Sequence, residues 1–172
     1  MLELIQKRRS CRKFTEEKLS SDEIDQIVKS ALWSPTSKNN RPWEFVVVEK
    51  AEILAALSQC KPHGAAFLSG APLGIVVMGA PHKSDVWVED CSIASIMMQM
   101  TAESLGLGST WIQVRLRLDE DGNMAGDNVK KIINAPEELE VLGIIAFGHK
   151  AMERKPNSEN ILLWDRVHYE SM

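Results

Sequence analysis

The sequence predicts a mixed α and β domain over residues 1–172, built around one central sheet. Apolar segments of strand length alternate with segments of helical periodicity, which is the pattern of a sheet covered by helices. One segment, 86–105, is long and apolar on much of its surface, as expected of a helix inside a larger structure. The 172 residues, 44% of them apolar, suffice for one hydrophobic core.

Capping residues and periodicity define the predicted helices. Ser20 and Glu23 have the spacing of a capping box, and apolar residues then recur at helical spacing as far as Leu32. Pro35 ends that helix, and Gly106 ends the long one. Besides the helix that Pro35 ends, the predicted helices are 2–7, 50–59, the long helix 86–105, and 128–134.

Short runs rich in β-branched residues define the predicted strands. The runs at 44–49, 73–79 and 141–147 are apolar along most of their length, so we expect buried strands there. Gly148 ends the last of them. The predicted strands are 44–49, 73–79, 109–114 and 141–147.

Composition narrows the functional classes. The formal net charge of −4 argues against nucleic-acid or membrane-surface binding, because both need a broad basic face. We expect neither a signal peptide nor a membrane span, since the acidic start is followed by no long apolar run. Three cysteines without a CxxC pair favour a reducing cytoplasm, and four scattered histidines without HExxH predict no metal site.

The densest local charge is the basic run Arg8–Lys13 (RRSCRK), with four cations in six positions. Guanidinium groups and a hydroxyl suit a phosphate, because charge-assisted hydrogen bonds converge on its oxygens. In an extended backbone Arg8, Ser10 and Arg12 would face one side and the residues between them the other. The alternative is an exposed basic turn.

Three further segments have polar residues at the ends of predicted elements. The loop 34–43 (SPTSKNNRPW) is bounded by prolines, and Asn39 offers donors and an acceptor to the edge of a heterocycle. The segment 106–111 (GLGSTW) has glycines that allow close approach to a flat ligand, although Gly106 also ends a helix. The segment 148–156 adds cations after the last strand. Each also has an ordinary interpretation as a turn or a solvated terminus.

These motifs occur in one order: RRSCRKF, SPTSKNNRPWEFVVV, the long helix into GLGSTW, and IIAFGHK followed by WDRVHYE. Together they resemble the FMN-dependent nitroreductase family over nearly the whole chain. The resemblance implies an α+β fold with a mainly antiparallel sheet, a long central helix, and an intertwined homodimer with FMN at its interface.

The implied activity is hydride transfer from NADH or NADPH through bound FMN to a small organic acceptor such as a nitroaromatic or a quinone, by a ping-pong mechanism. The flavin would carry the chemistry, and no side chain is expected to act as a catalytic acid. The alternative is a flavin-binding or storage protein without turnover.

The resemblance also assigns residues to the cofactor. Arg8, Arg9 and Ser10 match the contacts to the ribityl phosphate region. Arg12 matches a position near the pyrimidine end, where a guanidinium would favour the charge of reduced flavin. The remaining predicted contacts are Pro35, Thr36, Ser37 and Asn39 in a loop from the other subunit, Ser109 and Thr110 near the central ring, and Gly148 and Lys155 near the phosphate. Arg41 stands where many relatives have Gln, and the chain lacks the insertions that shape substrate lids in larger members.

Overall fold

Four strands form an antiparallel sheet at the centre of the computed structural model, which describes residues 1–172. In chain order they are β1 (Trp43–Val48), β2 (Leu73–Gly79), β3 (Leu107–Gln113) and β4 (Glu140–His149). Their order across the sheet is β1-β2-β4-β3, so β2 and β4 are central and the other two strands are the edges. The predicted α+β class with an antiparallel sheet is confirmed.

Five α-helices cover this sheet. They are α1 (Leu2–Lys7), α2 (Ser21–Leu32), α3 (Ala51–Ser58), α4 (Trp87–Ser104) and α5 (Ala125–Ile133). The predicted capping box begins α2, where the Ser20 N–H donates to Glu23 Oε2 at 2.7 Å and the Glu23 N–H donates to Ser20 Oγ at 3.3 Å. Helix α5 begins three residues before the predicted 128, and its early Asp127 is favourable there because the first turn attracts negative charge.

The sheet separates two apolar clusters, because successive side chains of a strand face opposite sides. On β2, Ile75 and Val77 pack with α2 and α4, whereas Val76 and Met78 pack with α3 and α5. All seven residues of β2 are buried for this reason. The expectation of a buried strand at 44–49 is wrong in part: β1 is an edge strand, and only Val48 is fully buried.

Two apolar regions of the chain are exposed. Helix α4 buries one side against the sheet, but Ile93, Ile96 and Met97 on it are about two-fifths exposed. The C-terminal arm, residues 158–172, is exposed throughout, although it contains two 3-10 turns and many large apolar side chains. None of the helices has the combination of length and hydropathy that crossing a membrane requires.

Candidate functional site

The basic run lies beside edge strand β3. Ser10 forms a parallel bridge with Ser109, and the Cys11 N–H donates to the Ser109 carbonyl at 2.9 Å. The Thr110 hydroxyl donates to the Cys11 carbonyl. Ser109 and Thr110 are both buried, so in this subunit they hold the backbone of the run against the sheet.

A cavity of about 310 Å³ opens over the run and is called the basic cavity below. Its lining residues are Lys7, Arg9, Ser10, Cys11, Arg12, Lys13, Lys150, Met152, Glu153 and Arg154. Six cations face one carboxylate there, so the local potential is positive in a chain of net charge −4. Residues 9–13 all line the cavity, whereas Arg8 does not. The expected alternation of sides along the run stays a prediction.

Arg9 and Arg12 are held in different ways. Arg9 Nη1 donates to the Lys155 carbonyl at 2.8 Å, which ties the run to the segment after β4. The Arg12 guanidinium carbon is 5.9 Å from the centroid of the Phe67 ring, a cation–π contact with the 3-10 segment Ala66–Gly70. The two guanidinium groups are therefore anchored to separate parts of the molecule.

Three of the five predicted phosphate contacts, Arg8, Gly148 and Lys155, do not line the basic cavity. A Cβ at Gly148 would lie 2.7 Å from Phe14 Cδ1, so close packing of β4 accounts for this glycine. Lys155 provides its carbonyl to Arg9 while its side chain is exposed. Their contact with a phosphate stays a prediction.

Lys150 is a cation of the cavity that sequence reasoning missed. Its Nζ lies 2.8 Å from Glu103 Oε1, and the two side chains are only 14% and 7% exposed. Lys150 directly follows β4, and Glu103 is in the last turn of α4, so only the tertiary fold brings them together. A lysine after a strand is too common a pattern to single out from the sequence.

The loop Pro35–Asn39 precedes β1, at the opposite edge of the sheet from the basic run. Its anchor is Asp90, in the first turns of α4, which is 2% exposed. Asp90 Oδ1 accepts from the Ser37 N–H at 2.8 Å, and its Oδ2 accepts from the Ser84 hydroxyl at 3.1 Å. A buried carboxylate therefore fixes the start of the loop.

The rest of the loop is compact and polar. Lys38, Asn39 and Arg41 have φ values of 50°, 57° and 47°, in the left-handed region that non-glycine residues adopt only with support. Thr36 Oγ1 accepts from the Arg41 N–H at 3.1 Å, and Asn39 Oδ1 accepts from Arg41 Nε at 3.0 Å. Arg41, which stands where many relatives have Gln, thus donates to the side-chain carbonyl of Asn39. The side-chain amide N–H groups of Asn39 make no hydrogen bond within the chain.

These two regions lie far apart in the fold of the chain. The loop is tied to Asp90 near the start of α4, and the basic cavity to Glu103 near its end. At ~1.5 Å per residue, these anchors are separated by roughly 20 Å along the helix axis. The two regions also adjoin opposite edge strands.

The structure supports neither a reactive thiol at Cys60 or Cys91 nor a metal site. Burial raises the pKa of the Cys60 thiol, and burial followed by the neighbouring Asp90 charge raises the pKa of Cys91 to about 12. Such thiols are poor nucleophiles, because the thiolate is the reactive form. No three side chains of His, Cys, Asp or Glu converge as a metal site would require.

Known proteins resemble this chain in sequence and in fold. The family model described as "Nitroreductase family" matches residues 5–149. The solved structure of an FMN-dependent nitroreductase from Clostridium difficile R20291 is similar with a TM-score of 0.98 and 40% identity, covering 100% of both chains. A Methanothermobacter thermautotrophicus protein, described as a candidate NADH dehydrogenase/NAD(P)H nitroreductase, is 32% identical over 99% of this chain and 86% of its own. The FMN reductase (NADPH) of Bacillus subtilis is 29% identical over 87% of this chain and 66% of its own.

Proposed function

Because the chain belongs to the nitroreductase family, we propose that it is an NAD(P)H-dependent flavin oxidoreductase with FMN as its cofactor. Its substrates are a nicotinamide donor, NADH or NADPH, and a small organic acceptor such as a nitroaromatic or a quinone. The donor and the acceptor use the same space in turn, which gives ping-pong kinetics. Residues 1–172 form one FMN-binding domain.

The basic cavity is the observation that carries this proposal. Six cations converge on about 310 Å³ in a chain whose net charge is negative, so the cavity suits a ligand with a concentrated negative charge. A phosphate monoester such as that of FMN has this charge. Arg9 and Ser10 line the cavity and are held in place through Lys155 and Ser109, so the donors are preorganised.

The cavity also limits which part of FMN it can hold. Its walls are mostly charged, and ligand-binding pockets of this size are at the lower end of the usual range of about 300–1,000 Å³. A flat ring system needs apolar or amide surfaces, so it would lie outside this cavity, where Arg12 extends toward Phe67. When bound, FMN supplies a carrier of two electrons, and the Arg12 guanidinium would stabilise the negative charge that reduction brings.

A homodimer completes the site in this proposal. The loop Pro35–Asn39 is far from the basic cavity of its own subunit, yet the free amide N–H groups of Asn39 suit the edge of a flavin. The uncovered residues of α4 and the apolar C-terminal arm are surfaces that a second copy would bury. Each basic cavity would then face a loop of the partner subunit.

The first test is whether the purified protein binds FMN and whether NADH or NADPH reduces it. We expect a yellow protein that releases FMN on denaturation, with rapid bleaching of the flavin absorbance after anaerobic mixing with at least one donor. Free FMN with the same donor is the control. A flavin that neither donor bleaches would support the rival function, storage or binding without turnover.

Steady-state kinetics with a nitroaromatic or a quinone test the mechanism. Parallel lines in double-reciprocal plots, at several concentrations of the donor, are expected if both substrates use one space in turn. Intersecting lines would contradict the shared space.

The remaining parts of the proposal concern location and partners. Cys11, Cys60 and Cys91 are all unpaired and buried, which suits a reducing cytoplasm. Nucleic acid is not a proposed partner, and binding of a single-stranded oligonucleotide at low salt would contradict this.

A further inference from the structure

We propose that Lys150 is an anion-binding residue of the basic cavity and that Glu103 is the positioning residue that holds it there. The anion is a phosphate monoester, so this inference rests on the proposed function and adds two residues to it. Neither residue was among the sequence-predicted contacts.

The burial of the pair is the first argument. Lys150 Nζ and Glu103 Oε1 are 2.8 Å apart, with side chains that are 14% and 7% exposed. Surface ion pairs are usually much more accessible and contribute little, whereas buried pairs are costly to desolvate and are retained where they have a specific role. Lys150 lines the basic cavity, and its ammonium has three N–H groups, one of which donates to Glu103. The exposed Glu153 Oε2 lies 3.8 Å from Nζ, beyond hydrogen-bond distance, so the other N–H groups are available to an anion.

The position of Glu103 is the second argument. It lies in the last turn of α4, where the carbonyl ends of the helix disfavour a negative charge. Burial disfavours the carboxylate further. The only cation within reach of Glu103 is Lys150. The Glu103 carboxylate therefore occupies an otherwise unfavourable position, and from there it orients the Lys150 ammonium.

The path of the Lys150 side chain is the third argument. A Cβ at Gly108 would lie 3.0 Å from Lys150 Cγ and 2.7 Å from Cys11 Sγ, so the glycine leaves room for both side chains. We expected the glycines of GLGSTW to allow close approach of a flat ligand. Gly106, with φ of 79°, instead supports the turn after α4, and Gly108 accommodates the lysine.

Two separate segments thus build one anion site. Arg9 and Ser10 come from the basic run, and Lys150 comes from the end of β4. The sequence-predicted Lys155 is exposed, and its ordered contact is a carbonyl that accepts from Arg9. Lys150 is therefore the buried lysine that supplies charge to the phosphate.

The test compares FMN with riboflavin, which lacks the phosphate. Lys150→Met is expected to weaken FMN binding by about tenfold or more and to change riboflavin binding by less than about twofold. Because Lys150→Met leaves Glu103 buried without a partner, the double variant Glu103→Gln with Lys150→Met is measured beside it. Lys131→Met, an exposed lysine on α5, is the matched control and should bind both flavins as the wild type does. Unchanged FMN binding in the double variant would overturn the role of Lys150.

Glu103→Gln and Lys150→Arg test the positioning role. Glu103→Gln alone should lower the preference for FMN over riboflavin by about threefold or more, and should have no further effect when Lys150 is already Met. Lys150→Arg keeps the charge and should retain most of the preference. A wild-type preference in Glu103→Gln would show that Glu103 does not position Lys150.

Inorganic phosphate separates this inference from the proposed function. Phosphate should raise the melting temperature of the wild type and of Lys131→Met relative to chloride at equal ionic strength, and the increase should be absent from the double variant. If the wild type binds neither flavin, the proposed function fails and the phosphate series alone decides the role of Lys150. An equal rise in melting temperature in all the proteins, or a rise in none of them, would overturn the role of Lys150.

Discussion

The basic cavity and the loop Pro35–Asn39 are stabilised in different ways. The cavity is lined by two segments distant in sequence, 7–13 and 150–154. Arg9 joins the first segment to the backbone of Lys155, and the Cys11 N–H joins it to β3. The loop is local, with its contact to the rest of the fold at Asp90. The cavity therefore depends on the tertiary fold of one subunit, whereas the loop depends on one buried carboxylate.

This difference suggests a division of tasks within the proposed site. A rigid cationic cavity suits the part of the ligand with constant charge, because its donors need no rearrangement. A polar loop with free amide N–H groups suits the edge of a ring system, and in the proposed dimer the partner subunit would determine its placement. The predictions below test whether the two regions are separate and whether they meet only in a dimer.

The largest expected effect comes from mixing two defective subunits. Arg9→Glu disables the cavity, and Ser37→Pro combined with Asn39→Ala disables the loop. Each homodimer should bind FMN about a hundredfold more weakly, about 2.7 kcal/mol. Heterodimers isolated with two different tags should recover one FMN per dimer with wild-type affinity, measured by equilibrium titration.

The recovery has a simple geometric reason. If each site combines the cavity of one subunit with the loop of its partner, then one of the two sites in a heterodimer contains no substitution. If each site instead lies within a single subunit, both sites of a heterodimer are damaged. The absence of recovery in heterodimers would therefore contradict the two-subunit site.

The second effect tests the anchor of the loop. Asp90→Ala leaves the Ser37 N–H and the Ser84 hydroxyl without their acceptor, which should cost about 2 kcal/mol of unfolding free energy. Ser84→Ala, the matched control, removes one donor and should cost less than about 1 kcal/mol. Both are measured by urea unfolding at one protein concentration, because dimerisation would affect stability. Asp90→Ala with wild-type FMN affinity would limit Asp90 to a structural role.

The local elements were predictable from the sequence, and much of the cavity was not. The capping box at Ser20 and Glu23 and the strand Leu73–Gly79 follow from short-range patterns, and both are confirmed. The pairing of Lys150 with Glu103 joins residues that are 47 positions apart, and no local pattern encodes it. The closeness of Gly108 to the side chains of Cys11 and Lys150 was unpredictable for the same reason, since only the fold brings these residues together.

The third prediction concerns the redox role of Arg12. Arg12→Ala should weaken FMN binding by about tenfold and lower the reduction potential of the bound flavin, since the positive charge that favours the reduced form is lost. Arg12→Lys keeps the charge and should have a potential between those of the alanine variant and the wild type. The potentials are measured by equilibrium reduction against a reference dye. An unchanged potential in flavin-loaded Arg12→Ala would exclude this role.

The smallest effect tests the helix that leads into the loop. Hydrogen bonds from Ser20 lower the pKa of Glu23, so its carboxylate stabilises the start of α2 at neutral pH. A lowered pKa gives stability that is present above the unfolded value of about 4.3 and is lost as the pH falls through the folded value. Because the carboxylate is largely exposed to solvent, Glu23→Gln should be less stable than the wild type by only about 0.5 kcal/mol or less at pH 7, with the difference shrinking below about pH 4. Asp25→Asn, an exposed change on the same helix, is the control for general charge effects. A difference that stays constant across this pH range would mean that the Glu23 carboxylate does not cap the helix.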